Sequence, residues 1–199
     1  MIMEKIRCPW PQNRPLDVDY HDTEWGIPLH EDAKHYEFLL LDAFQAGLSW
    51  STVLRKRKNF REAFDRFDYR KIALYDEAKV EALMQDAGII RNRLKIKAAI
   101  TNAQAFIELQ KEFGSFDRFI WQFTGEKTID NHLVTHNNPP VSSPESDAMS
   151  KALQKKGFKF VGTTICYAYM QAAGMVNDHR TDCFRYRECL AMSTLSSVS

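Results

Sequence analysis

At 199 residues, 44% hydrophobic and 12% aromatic, the chain is long enough to bury a core and too ordered in composition for a tail-like or low-complexity protein. Lys and Arg number 27 against 26 Asp and Glu. The whole molecule therefore lacks the basic excess of many nucleic-acid binders, and only local patches could carry such a role. Cys8, Cys166, Cys183 and Cys189 are irregularly spaced and follow no signal-like leader, which argues against a disulfide scaffold and for a cytoplasmic protein.

In chain order, apolar residues recur at helical spacing from residue 32 to 124, and alternating β-branched runs are scarce, so an all-α fold is expected. The first helix is expected over 32–46, capped by Asp32 and stopped by Gly47. Its FLLLDAF core is apolar almost all round, as in a central helix. Ser49 caps the next segment, 50–67. Further helices are expected over 76–88 and 92–113, the latter closed by Gly114, followed by a short aromatic one over 115–123. Residues 124–144 break the pattern with the Pro, Asn and Ser density of a long surface loop or a connection between lobes. A helix restarts at Ser143 or Ser146 and ends at Gly157, and another runs from Gly162 and Thr163 to Gly174. The uncharged run 160–177 contains too many small and polar residues to span a bilayer and reads as a buried helix. The organisation expected is one domain over 1–188, with two helical lobes around a cleft, and a frayed tail over 189–199.

Three groups of residues carry chemistry. His179 and Cys183 are four apart, one turn if helical, and Cys8 and His21 offer a second pair near the N-terminus. Together they form a Cys2His2 set of the kind zinc favours in closed structural sites, although the cysteines read equally as small core hydrophobes on spacing alone. Gly157 and Gly162 bracket a tight apolar connection between two helices, a helix-hairpin-helix pattern. Backbone N–H groups there, with Lys155, Lys156 and Lys159, suit a phosphate, while any helical hairpin can also end in glycine. Basic clusters at 55–61 and 91–97 read as solvated helix faces or as part of the same grip. Trp10, Tyr20, Trp25 and Trp50 crowd the first quarter of the chain, where aromatic faces suit a flat base. Asp42, flanked by Leu41 and Ala43, is either a buried acid with a task or part of a polar stripe with His35, Gln45 and Ser49.

From Arg7 to Cys183 the chain resembles the 3-methyladenine DNA glycosylase I family of the helix-hairpin-helix superfamily. The runs RCPW, YHDTEWG, QAGLSW, DAGIIRNRLKI and SDAMSKALQKKGFKFVGTTICYAYMQAAG, then NDH with Cys183, carry the likeness together. The resemblance implies a helix-hairpin-helix glycosylase-like fold, with a structural zinc ion joining the termini through Cys8, His21, His179 and Cys183. It implies a base pocket of Trp10, Tyr20, Trp25 and Trp50, and a DNA grip at Gly157, Lys159, Gly162 and Thr163, with Leu48 where the family approaches the gap left in the duplex. The expected partner is double-stranded DNA carrying alkylated bases, bound by a monomer, with free 3-methyladenine as product and no membrane. The expected reaction is monofunctional hydrolysis, since no lysine follows the hairpin where a lyase nucleophile would stand. Asp42 falls where the family has its base-recognising glutamate, about 1.5 Å shorter, and is taken as the catalytic residue. Asp17 falls where a tyrosine is often found. The alternatives are a zinc-stapled module that binds damaged DNA without cutting it, and a hydrolytic zinc enzyme, which four protein ligands disfavour.

Overall fold

The computed structural model describes residues 5–196. Ten α-helices run in chain order among them: α1 (Pro15–Thr23), α2 (Asp32–Gln45), α3 (Trp50–Ala63), α4 (Tyr69–Ile72), α5 (Glu77–Gln85), α6 (Arg93–Phe113), α7 (Phe116–Trp121), α8 (Pro144–Lys155), α9 (Thr163–Ala172) and α10 (Phe184–Ser196). Two-residue strands β1 (Ile129–Asp130) and β2 (Val176–Asn177) pair in parallel, Ile129 opposite Val176. No helix among the described residues is long and apolar enough to cross a membrane.

Helix α2 is the axis of the packing. Every residue from His35 to Phe44 is buried, and α3, α6, α7 and α9 pack around it. That is what an apolar run with no polar face must do. Caps set the other boundaries as the sequence suggests: Ser49 accepts from Thr52 N at the start of α3, and Ser143 forms a capping box with Ser146 at the start of α8. Asp32 is the exception. It is the first residue of α2 rather than its cap, and its carboxylate instead accepts from Phe116 N (3.0 Å) and Asp117 N (2.9 Å), satisfying the N-terminus of α7.

Two expectations are corrected. The chain is helical through Ser196, not frayed from residue 189, because Cys189 and Tyr186 anchor α10 in the interior; residues 197–199 lie outside the described part. Helix α1 was not expected at all. Its sequence PLDVDYHDT has no apolar periodicity, and it forms with Pro15 in its first turn.

Gly174 lets the chain fold back on itself. Its φ is +65°, and a Cβ there would lie 2.4 Å from Ile27 C and from Pro28 N. This close approach is what lets Gly26 N reach Gln171 O and Leu29 N reach Ala173 O, both at 3.1 Å, so the segment after α1 is held against the end of α9. Gly174→Ala must adopt a left-handed backbone and overlap main-chain atoms. We expect it to cost about 3 kcal/mol or more in urea unfolding.

Candidate base-binding cavity and Cys2His2 cluster

The N-terminal arm of the described chain meets the segment between α9 and α10. Phe184 N donates to Ile6 O at 3.0 Å and Arg180 N to Cys8 Sγ at 3.4 Å. Four buried side chains converge there: donor atoms of Cys8, His21, His179 and Cys183 all lie within 4.8 Å of one another. Cys183 Sγ is 3.5 Å from His21 Nε2 and 3.6 Å from His179 Nδ1, and Cys8 Sγ is 3.6 Å from the same Nδ1. The outer ring nitrogens have partners that fix the rings. His21 Nδ1 faces Asp22 Oδ1 at 2.8 Å, and His179 Nε2 faces Trp25 O at 3.0 Å. Hydrogen bonding to Cys8 holds the Cys183 thiol far below its usual range, while the same bond, with burial, pushes Cys8 up. Residues 179–183 do not form the helical turn that their spacing suggests. A tight turn closed by Cys183 N and Arg180 O (2.8 Å) presents both side chains to the same point.

Against this cluster lies a cavity of about 440 Å³ walled by Trp10, Tyr20, Trp25, Trp50 and Asp42. This volume is in the range of small-ligand sites. The aromatic rings support one another: Trp10 meets Trp25 edge to face at 5.2 Å, Tyr20 meets Trp50 at 5.0 Å, and Trp25 abuts the His179 ring at 4.6 Å. Cluster and cavity thus share a wall, to which Cys8 also contributes.

Four polar atoms of residues that line the cavity are buried with no partner: Asp42 Oδ2, Trp10 Nε1, Trp50 Nε1 and Arg180 Nε. Each such atom costs free energy in an empty protein. Clustered on one cavity, they mark where a ligand with both donors and acceptors belongs. Burial pushes the Asp42 carboxyl well above the usual carboxylate range, and it does the same to the Tyr20 hydroxyl, with the nearby Asp42 adding to the effect. Asp42 is 2% exposed, so a solvated stripe is excluded at this position. About two turns before it, His35 is fully buried between Tyr169 Oη (2.6 Å) and Asp117 Oδ1 (3.0 Å); Gln45 is half-buried, and Ser49, at the far end, is exposed.

Asp17 stands apart from the cavity wall. Its carboxylate accepts from Ser51 Oγ and pairs with Arg14 at 3.3 Å, so it braces α1 against the start of α3. Gln171, Arg180 and Asn137, by contrast, line the cavity without having been singled out for it, and Asp178 lines it as well. Asp178 accepts from Asn131 Nδ2 (2.6 Å), Tyr167 Oη (2.9 Å) and Gln171 Nε2 (2.8 Å). Its place beside His179 in sequence was the available signal; the Asn137 loop offered none.

Leu48, Gly157, Lys159, Gly162 and Thr163 are outside the cavity lining. Leu48 is 43% exposed on the turn between α2 and α3. In the hairpin between α8 and α9, Gly157 has φ +93°. Lys159 N donates to Asn102 Oδ1 (2.7 Å), and Thr163 Oγ1 lies 2.7 Å from Ser146 Oγ. A Cβ on either Gly157 or Gly162 would meet nothing within 4 Å, so the expected close approach of backbone to backbone is not made within the chain. Each basic cluster has a member paired with acids: Arg57 with Glu24 and Glu37, and Arg93 with Glu77 and Glu81.

The sequence model of the methyladenine glycosylase family matches residues 10–186. Over 180 residues the chain is 49% identical to DNA-3-methyladenine glycosylase 1 of Escherichia coli, covering 90% of this chain and 96% of that one. It is 45% identical over 177 residues to the DNA-3-methyladenine glycosylase of Haemophilus influenzae, covering 89% and 96%. A crystal structure of 3-methyladenine DNA glycosylase I superposes with a TM-score of 0.87 at 49% identity, covering 90% of this chain and 98% of that one. A Tyr-to-Phe variant of a more distant such enzyme, in complex with 3-methyladenine, also gives 0.87 at 30% identity, covering 89% and 96%. With the family model spanning most of the chain and relatives of nearly half identity matched end to end, the chain belongs to the methyladenine glycosylase family.

Proposed function

We propose that the chain excises 3-methyladenine from alkylated double-stranded DNA by hydrolysing the N-glycosidic bond, in the cytoplasm and as a monomer. Beside family membership, the observation that carries this reading is the aromatic cavity holding an unpaired buried carboxyl and two unpaired indole N–H groups. A base inside a duplex cannot reach such a cavity, so the nucleotide must be flipped, at a cost of a few kcal/mol that is smaller for a damaged base. Stacking on the indoles offsets that cost, and Trp10 and Trp50 N–H donate to ring acceptors while Asp42 accepts from the exocyclic amine. The alkylated base is cationic while joined to the sugar. Its entry favours the ionised form of Asp42 that burial otherwise penalises, whereas neutral adenine brings no such compensation. The C1′–N9 bond then breaks with its electron pair going to the base, which leaves neutral. Water adds to the sugar cation and loses its proton to solvent.

Zinc is the ion that fits the Cys8, His21, His179 and Cys183 set. Zn–S near 2.3 Å and Zn–N near 2.0–2.1 Å at a tetrahedral angle imply an S···N edge of about 3.6 Å, and the observed separations are 3.5 to 3.6 Å. Four protein ligands would close the coordination sphere, so its contribution would be to tie the chain ends behind the cavity wall. Gly157, Lys159, Gly162 and Thr163 supply the sequence-independent grip on the DNA backbone, with Leu48 entering the space left by the flipped base.

The decisive assay is release of 3-methyladenine from methylated duplex DNA. Release no faster than without protein would refute the reading. In this assay Asp42→Asn should lower excision about 10²-fold. It should also stabilise the empty protein at neutral pH. Because burial raises the folded-state pKa of Asp42 above its unfolded value of about 3.9, wild-type stability falls as pH rises between those two values, and the amide variant lacks that loss. Urea titrations across that range check the sign. Metal analysis should find one zinc per chain. Its removal by chelation, or Cys183→Ser, should lower Tm by about 10 °C, the shift that about 3–5 kcal/mol gives in a chain of this size. Gly162→Val adds its side chain into open space at an extended φ of −62° and ψ of 159°, so the fold should hold. DNA affinity should fall about tenfold on every sequence alike, and a sequence-dependent loss in binding titrations would contradict a backbone contact.

A further inference from the structure

Helix α6 carries a buried cation whose role the cavity does not explain. Lys95 is 6% exposed, and its ammonium donates to Phe44 O at 2.8 Å and to Ala46 O at 2.5 Å. These are carbonyls at the C-terminal end of α2, where intrahelical partners run out and a positive charge is favoured. No basic side chain of α2 itself occupies its last turn. Directly beyond, Gly47 turns the chain at φ +78° and Leu48 projects to solvent before Ser49 caps α3 and Trp50 enters the cavity wall. Lys95 therefore holds the base of the turn that presents Leu48, at the carbonyls of Phe44 and Ala46, two and four residues past Asp42.

About two turns further along the same face, the middle of α6 holds the hairpin. Asn102, seven residues on and 2% exposed, grips Lys159 through both main-chain atoms, accepting from Lys159 N at 2.7 Å and donating to Lys159 O at 3.0 Å. Between the two anchors the Phe160 ring lies 5.9 Å from Lys95 Nζ, on a residue held at φ +55°. One helical face thus fastens the Leu48 turn and the hairpin loop, two segments more than 100 residues apart in sequence that share no secondary structure.

Building on the proposed glycosylase reading, we infer that Lys95 is a positioning residue that sets the spacing between the Leu48 turn and the hairpin, so that one enters the duplex where the other grips its backbone. The residue touches neither base nor cavity, and its effect is confined to the engagement of duplex DNA.

The test separates base binding from duplex binding. Lys95→Met keeps most of the aliphatic stem and removes the charge. Calorimetry with free 3-methyladenine should give an affinity unchanged from wild type, while anisotropy with a labelled duplex carrying an abasic-site analogue should show a loss of at least about tenfold, the scale expected of a misplacement near 1 Å. Amide exchange in the peptide spanning residues 46–50 should quicken while that of residues 35–44 does not, and Lys95→Arg should recover part of the duplex affinity. Equal losses for free base and duplex, or a duplex affinity equal to wild type, would overturn the inference. Should Lys95→Met not fold, Asn102→Ala must give the same split between base and duplex, and its failure to do so is equally fatal. A wild-type protein that binds the duplex but releases no base refutes the glycosylase reading, and the duplex measurements then still decide the role of Lys95.

Discussion

The cavity exists because the first 30 described residues are fastened to the segment after α9. Trp10, Tyr20 and Trp25 all come from that N-terminal arm, which lacks an apolar face of its own and would have no fixed place without its partners. Main-chain bonds from Gly26 to Gln171, from Leu29 to Ala173 and from Phe184 to Ile6 fix it, and the Cys8, His21, His179 and Cys183 cluster closes the loop between the two ends. Joining segments so far apart in sequence costs loop-closure entropy. That cost is met by packing and by the hydrogen bonds. The rings of His21 and His179 stand at the same time against Trp25, so what holds the ends together also aims the cavity wall.

A second constraint is the carboxyl buried without a partner. Placing Asp42 in the middle of the most buried helix of the structure sacrifices stability, and the surroundings do not compensate it: Oδ2 has no donor. His35, on the same helix, is by contrast fully provided for by Tyr169 and Asp117. The difference between the two separates a polar group whose partners lie within the fold from one left unsatisfied at a cavity wall.

How much of this could be read from the residues differs by element. Periodicity and caps located α2, α3, α6, α8 and α9 closely, since each has an apolar face and a Ser, Asn or Gly at its ends. Helix α1 and the helical continuation past residue 189 were missed because both depend on tertiary contacts, at Tyr20 and His21 in one case and at Cys189 in the other. The four cluster residues were legible as chemistry but not as geometry. The spacing of His179 and Cys183 suggested a helix where there is a tight turn, and nothing local to Cys8 and His21 said that they face them. Asp17, where the family resemblance implies a tyrosine, is engaged by Ser51 and Arg14, a pairing that only the packing of α1 on α3 creates. In the basic clusters at 55–61 and 91–97, Arg57 and Arg93 are paired with acids that are distant in sequence.

Of the four tryptophans, Trp10, Trp25 and Trp50 line the one cavity, while Trp121 sits elsewhere, stacked on His30 and bonded through its indole N–H to Leu29 O. Three of the four indoles that supply the protein's intrinsic ultraviolet emission therefore stand in the wall of that cavity. Occupancy by a flat, electron-poor ring becomes directly visible in the unlabelled protein, without dye, tag or engineered probe.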